Sequence, residues 1–330
     1  MTYQRTLGRS GITVSAMGLG CWAIGGPFWN GDEPQGWGEV DDNESIRAIH
    51  SALDHGITFF DTANVYGAGH SERILGKALK GERSRIIIAT KFSSLFDESS
   101  RQVTGQSAHP ADIRKACESS LWRLNTDVID LYQFHDNGYP PEKAQPVRET
   151  LEELTREGKI RAYGWSTDFS DRAEVFAEGP HCSAIQLQLN VLEDNPSIVT
   201  LCERHNLAAI NRGPLAMGLL TGKYTSETKT GIDDVRGEKS PSWMKYFKGG
   251  KPDPEWLAKV QAVREILTAD GRTLAQGAIG WLWARSEKTI PIPGFRTVEQ
   301  VEENCRALEM GPLSQEQYVE IERIMGRYHE

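Results

Sequence analysis

Apolar residues recur along this chain in two alternating rhythms. Short runs rich in apolar and β-branched residues stand at 15–21, 58–63, 85–91, 128–135, 160–167, 184–190, 208–214 and 289–294. Between them lie longer stretches whose apolar residues fall at i, i+3, i+4 and i+7, the spacing of one helix face. In one, Asp41-Asp42-Asn43-Glu44 leads into Ile46, Ile49 and Leu53, and Gly56 follows. In another, Pro110 and Asp112 open a run carrying Ile113, Cys117, Leu121 and Leu124. A third, 146–157, carries Val147, Leu151 and Leu154 ahead of Gly158. Aspartate or proline at the start and glycine at the stop suit the unpaired backbone groups of helix ends. Further helices are expected at 197–205, 254–268, 273–286, 298–307 and 314–325.

Strands joined through helices run parallel, because each crossover returns the chain to the same end of the sheet. Eight such strands predict an α/β fold, a (β/α)8 TIM barrel, with residues 1–330 as a single domain. The competing doubly wound sheet would place GxGxxG after its first strand. Gly18-Leu19-Gly20 runs on into Cys21-Trp22-Ala23, and Gly67-Ala68-Gly69 runs on to Glu72, so each lacks the third glycine. Three segments stand outside the alternation. Residues 3–7 and 12–15, joined around Gly8 and Gly11, predict an N-terminal β-hairpin. Residues 23–40 and 224–253 predict long loops, assigned to the C-terminal face, and loops of this length are usually functional.

Composition narrows the function classes. The 330 residues include 37 basic and 46 acidic ones, a formal charge of −9, which argues against a nucleic-acid partner. No apolar run approaches the roughly 18 residues of a membrane span. The N-terminus lacks the apolar stretch of a signal peptide, so a cytoplasmic protein with no membrane partner is expected. Five cysteines without a CxxC pair predict reduced thiols and no metal site. His70, His109, His181, His205 and His329 are expected at the surface or at helix caps.

Chemistry gathers at the strand ends. Asp61 follows Phe59 and Phe60, Tyr66 comes five residues later, Lys91 ends the third run and His135 the fourth. A barrel brings the C-terminal ends of its strands to one mouth. There the four make a proton-transfer set. A tyrosine is a weak acid at neutral pH, with a pKa near ~10. A lysine cation beside it favours the phenolate, and a carboxylate holds that lysine charged and in place. Histidine can orient a substrate oxygen. The set suits protonation of a carbonyl oxygen while a cofactor delivers hydride to its carbon.

Read with their neighbours, these residues resemble the aldo-keto reductase family. The matching segments are Phe60-Asp61-Thr62-Ala63 with Tyr66-Gly67, Gly69-His70-Ser71-Glu72, Lys91, and Asp130-Leu131-Tyr132-Gln133 with His135. They continue with Gly164-Trp165-Ser166-Thr167, Gln186 with Asn190, Gly213-Pro214-Leu215 leading to Gly218 and Lys223, and Ile292-Pro293-Gly294 with Glu303-Asn304. The resemblance implies a NADPH-dependent oxidoreductase that interconverts an aldehyde or ketone and its alcohol, with NADH as the alternative cofactor. It implies Tyr66 as general acid/base, Asp61 and Lys91 as its tuning partners, and His135 as the substrate-orienting group. Ser166, Thr167 and Gln186 would bind the nicotinamide carboxamide. Gly213, Pro214, Leu215 and Gly218 would cover the pyrophosphate, and Gly294, Phe295, Arg296, Gln300, Glu303 and Asn304 the adenosine end.

Three positions depart from the common family pattern. Thr167 stands where asparagine is usual, and Gln300 where many members carry a basic residue, leaving Arg296 as the main candidate for the 2′-phosphate. Arg212, in the segment Asn211-Arg212-Gly213-Pro214-Leu215 typical of one subgroup, would take the stacking place of an aromatic ring. The substrate pocket is expected to use Trp22 and Trp29 beside Tyr66 and His135. The alternative on the same fold is a cofactor-sensing regulatory subunit with little turnover. An aldolase using Lys91 as a Schiff base is a third reading. Tyr139 and Lys143 have the spacing of a short-chain dehydrogenase pair, but Pro140 and Pro141 forbid the continuous helix that pair needs. Trp281 and Trp283 are expected in helix–barrel packing.

Overall fold

The computed structural model describes residues 3–328; His329 lies outside them. The eight expected strands are present and follow one another around a single sheet in chain order. They are β1 (Leu19–Gly20), β2 (Phe59–Asp61), β3 (Ile87–Phe92), β4 (Ile129–Phe134), β5 (Ile160–Ser166), β6 (Cys182–Gln188), β7 (Ala208–Arg212) and β8 (Thr289–Pro291). Every neighbouring pair is parallel. The ring closes where Gly20 bridges Gly294, and the Gly18 and Gly20 N–H groups donate to the Pro291 and Pro293 carbonyls at 3.0 Å.

The helices pack outside. They are α1 (Asp42–Asp54), α2 (His70–Ala78), α3 (Pro110–Leu124), α4 (Gln145–Arg156), α5 (Ser170–Ala177), α6 (Pro196–Arg204), α7 (Pro254–Leu267), α8 (Leu274–Arg285), α9 (Val298–Met310) and α10 (Gln315–Ile324). At α1 the cap is the one the sequence suggests. Asp41 accepts from the N–H groups of Asn43 and Glu44, and Thr273 with Gln276 forms a capping box. Trp281 and Trp283 are buried on α8, and their indole N–H groups donate to Glu322 and the Ala16 carbonyl. Residues 141–143 form only a short 3-10 turn, so Tyr139 and Lys143 share no helix. No helix of the described residues is long and apolar enough to cross a membrane.

The barrel interior is built by the two-residue period of its strands. The lower inward positions hold Phe59, Ala89, Leu131, Ala184 and Ile210, all buried in one apolar cluster. Two residues further along the same strands stand Asp61, Lys91, Gln133, Gln186 and Arg212. The interior therefore changes from apolar to polar in a single step toward the C-terminal face. The hairpin Gln4–Thr6 with Thr13–Ser15 closes the opposite end, adding Leu7, Ile12 and Val14 to the same cluster. Each such burial contributes roughly 1.5–3 kcal/mol relative to exposure.

The two long loops are more ordered than the word implies. Trp29–Asn30 and Glu33–Pro34 join Ser94–Asp97 and Gln102–Gln106 in a four-stranded sheet. The later loop reaches back to the first. The Val235 N–H donates to the Gly36 carbonyl at 2.7 Å, and the Arg236 guanidinium lies 4.4 Å from the Trp37 ring centroid.

Candidate active site

A groove of about 1790 Å³ crosses the C-terminal face of the barrel. Asp61, Tyr66 and His135 line its floor; Lys91 lies just beneath, with no exposed surface. β2 presents Asp61 inward, and the turn after it carries Tyr66 over the rim. That turn is held close to the loop after β1: a Cβ on Gly67, whose φ is +60°, would meet the Gly25 carbonyl oxygen at 1.8 Å.

Lys91 uses all three of its N–H donors. It forms a buried ion pair with Asp61, donates to the Thr62 carbonyl at 2.8 Å, and reaches the Tyr66 hydroxyl at 3.4 Å. Burial acts most strongly and disfavours the Lys91 ammonium, but the charge of Asp61, the Tyr66 oxygen and the hydrogen bonds to both together outweigh it and raise the pKa. A lysine so engaged and charged is a poor Schiff-base nucleophile. Burial raises the Tyr66 pKa above its ordinary value of 10, and Lys91, pulling the other way, does not cancel it. This corrects the expectation of a lowered tyrosine pKa: the lysine's attraction is real but is weaker than the loss of solvent. His135 packs edge-on to Tyr66, with ring centroids 5.9 Å apart. Burial, then the cations Lys91 and Arg212, drive its pKa well below 6.5, so the ring is neutral at neutral pH.

Ser166 and Gln186 line the groove beside this floor, and Arg212 borders it. The Arg212 guanidinium is fixed by an ion pair with Asp168 and by a 3.1 Å bond to the Gln188 side chain. Gly213, Pro214, Leu215 and Gly218 form the next stretch of wall. Gly213 has φ +62°, and a Cβ there would stand 2.6 Å from the Gln188 amide oxygen. Gly294, Phe295, Arg296, Gln300, Glu303 and Asn304 line the far end. Arg296 donates to the carbonyls of Trp37, at 2.9 Å, and Glu39, while Gln300 accepts from the Arg296 backbone N–H at 2.8 Å.

Two sequence-predicted residues are elsewhere. Thr167 is fully buried and donates to the Asn137 carbonyl at 3.3 Å, turned away from the groove. Trp29 sits in the small four-stranded sheet and does not line the groove. Trp22 does, stacked against Tyr66 with centroids 5.9 Å apart. Of the histidines expected at the surface or at caps, three contact carboxylates: His70 meets Asp42, His181 meets Glu152 and His205 meets Glu174. Among the described residues no cluster of three or more His, Cys, Asp or Glu could hold a metal ion.

The sequence reading passed over Lys223 and Arg236 as groove residues. Both line it together with Arg296. Burial first, then the nearby Arg236 and Arg296 charges, lower the Lys223 pKa despite the opposing pull of Glu303. Arg236 is already held by a two-point ion pair with Asp234 at 2.8 and 2.6 Å, which leaves Lys223 and Arg296 to meet an anion, and a dinucleotide pyrophosphate or 2′-phosphate is one of that kind. The signal was present in Gly222-Lys223, directly after the glycine-rich segment. Arg236 lay in a loop with no periodicity to place it.

Comparison with known proteins adds the following. The model of the Aldo/keto reductase family matches residues 16–325. An aldo-keto reductase of Bacillus subtilis (strain 168) is 36% identical over 301 residues, covering 89% of this chain and 85% of its own. An NADH-specific methylglyoxal reductase of Escherichia coli (strain K12) is 31% identical over 328 residues, covering 92% and 93%. The solved structure of a glycerol dehydrogenase of Gluconobacter oxydans superposes with a TM-score of 0.79 at 32% identity, covering 96% of this chain and 93% of its own.

Proposed function

The chain belongs to the aldo/keto reductase family and is an NAD(P)H-dependent oxidoreductase; from that premise we propose that it interconverts a small aldehyde or ketone and its alcohol, with Tyr66 as the general acid/base. One observation carries this: the Tyr66 hydroxyl stands at the groove floor with Lys91 at 3.4 Å and Lys91 locked to Asp61. The same proposal takes residues 1–330 as one functional unit.

The chain's residues divide the work. The carbonyl oxygen lies between Tyr66 and His135. Neutral His135 orients that oxygen by a hydrogen bond and does not carry a charge to it. Tyr66, protonated at neutral pH, gives its proton to the oxygen as negative charge develops there. Lys91 then faces a phenolate and stabilises it, while Asp61 keeps the lysine in position. In the direction of alcohol oxidation the phenolate takes the proton back. Trp22, stacked on Tyr66, supplies an apolar wall that keeps water from the reacting centre. A small substrate agrees with relatives described as methylglyoxal reductase and glycerol dehydrogenase.

The groove fits a nicotinamide dinucleotide, which when bound supplies or accepts the hydride. Ser166 and Gln186 would hold the carboxamide, Arg212 would flank the ring, and Lys223 and Arg296 would hold phosphate. We favour NADPH over NADH because the Arg296 guanidinium at the far end of the groove suits an additional phosphate. The test is a panel of small aldehydes, ketones and sugars assayed in both directions with each cofactor. Turnover with NADPH on a short-chain aldehyde supports the proposal. NADPH binding without turnover on any member would instead favour a regulatory subunit.

A further inference from the structure

Gln133 belongs to no proposed role so far, yet it sits at the centre of the buried floor. It lies on β4, has no exposed surface, and is the register partner of Lys91 on β3. Its side-chain N–H donates to Asp61 Oδ2 at 2.9 Å. Its carbonyl oxygen accepts from Gln186 Nε2 at 3.1 Å, and the same Nε2 donates to Asp61 Oδ2 at 2.8 Å. β5 runs between the two glutamines and carries Gly164 opposite Gln133, with no side chain to part them.

The orientation of both amides follows from what each atom can do. Ionised Asp61 is acceptor only, so both glutamines must turn an N–H toward it. Gln186 then has one further N–H, and the Gln133 oxygen is there to receive it. Both donors of Gln186 are consumed inward, which leaves its carbonyl oxygen as the group presented to the groove. Meanwhile Asp61 Oδ2 is saturated by the two amides, and Oδ1 is left to Lys91.

We propose that Gln133 is a positioning residue with two separable halves: its N–H holds Asp61 for Lys91 and Tyr66, and its carbonyl oxygen fixes Gln186 so that an acceptor faces the nicotinamide carboxamide. It touches neither substrate nor cofactor. The inference rests on the proposed reductase function and goes beyond it, because it joins the proton-transfer set and the cofactor cradle through one side chain.

Two full-length variants test it. Gln133→Met keeps length and volume and removes both polar groups. Gln133→Glu restores both: buried beside Asp61, its carboxyl holds its proton, so the O–H donates to Asp61 and the other oxygen accepts from Gln186. The readouts are NADPH dissociation by fluorescence titration, which needs no turnover, and kcat on an aldehyde the wild type reduces. Q133M is expected to weaken NADPH binding about tenfold and to lower kcat as well. Q133E is expected to stay within about threefold of wild type in both. A cycle with Gln186→Met separates the halves: the loss of NADPH affinity from Q133M should be largely absent once Gln186 is gone, while its loss of kcat persists. If Q133M does not fold, Q133E decides by keeping or losing both readouts. Wild-type NADPH binding by Q133M, affinity losses additive with Q186M, or about tenfold losses in Q133E would overturn this inference and leave the reductase function standing. A wild type that neither binds NADPH nor reduces any carbonyl would overturn both.

Discussion

At neutral pH the Tyr66 hydroxyl keeps its proton and Lys91 keeps its charge. The two states set opposite pH demands on the two directions of the reaction. Reduction needs the phenol, so its rate should stay level through neutral pH and fall only above the raised tyrosine pKa. Oxidation needs the phenolate, so its rate should climb with pH across the alkaline range. Parallel pH profiles of the two directions would show that Tyr66 is not the titrating group. Lys91→Met strips the phenolate of its nearest cation and leaves Asp61 buried without its partner. Turnover should drop about 10²–10⁴-fold, and stability by roughly 3–5 kcal/mol as for a broken buried pair. Steady-state kinetics and urea unfolding read the two losses separately. These four residues were legible in the sequence because each ends a strand-like run or follows one. The direction of the Tyr66 shift was not, since spacing shows the neighbouring lysine but not the loss of solvent that outweighs it.

At the scale of elements, the hairpin is a plug rather than an ornament. Gly8 turns with φ +46°, and a Cβ there would stand 2.4 Å from the Ser183 carbonyl oxygen. Gly8→Ala should therefore cost about 2 kcal/mol of stability or more. NADPH affinity should change little, because the plug lies at the end of the barrel opposite the groove. Thermal unfolding and fluorescence titration of the same variant check the pair of expectations. The strands and the longer helices could be read from their periods. Two helices could not. α2 begins at Gly69 with no capping side chain and buries Ser71 and Glu72, the latter paired with Arg123, so its inner face is partly polar. α5 is eight residues long and has Phe169 at its N-cap. The small sheet around Trp29 escaped for another reason: its strands are two to five residues long and pair across distant segments. Local patterning has nothing to register there, and an aromatic residue in a loop at the barrel mouth, as Trp29 is, does not show from sequence whether it faces the groove or the small sheet.

Across the whole molecule, the net charge of −9 coexists with Lys223 and Arg296 on the groove wall. The field that matters to an anionic cofactor is set within about a Debye length, so these two side chains count for more than the total charge. The folded barrel also has a pH signature of its own. His135 binds a proton less readily in the folded state than in the unfolded chain, where its pKa lies near 6.5. Below that pH the unfolded state takes up the extra proton, so stability is fully present above about 6.5 and declines as pH falls. The slope from this one group is at most about 1.4 kcal/mol per pH unit. Urea unfolding from pH 7.5 to 5, compared between wild type and His135→Gln, should show a shallower decline in the variant. Equal slopes would mean that His135 does not titrate with folding.

The assignment of the proton to Tyr66 is the claim on which the functional account depends. Its most direct test is Tyr66→Phe, with NADPH affinity measured by fluorescence and carbonyl reduction followed as NADPH oxidation. Loss of one hydroxyl leaves the groove walls intact, so NADPH should bind as tightly as to wild type. Turnover should fall by about 10²–10⁴-fold. Near-normal turnover in Tyr66→Phe would contradict the account.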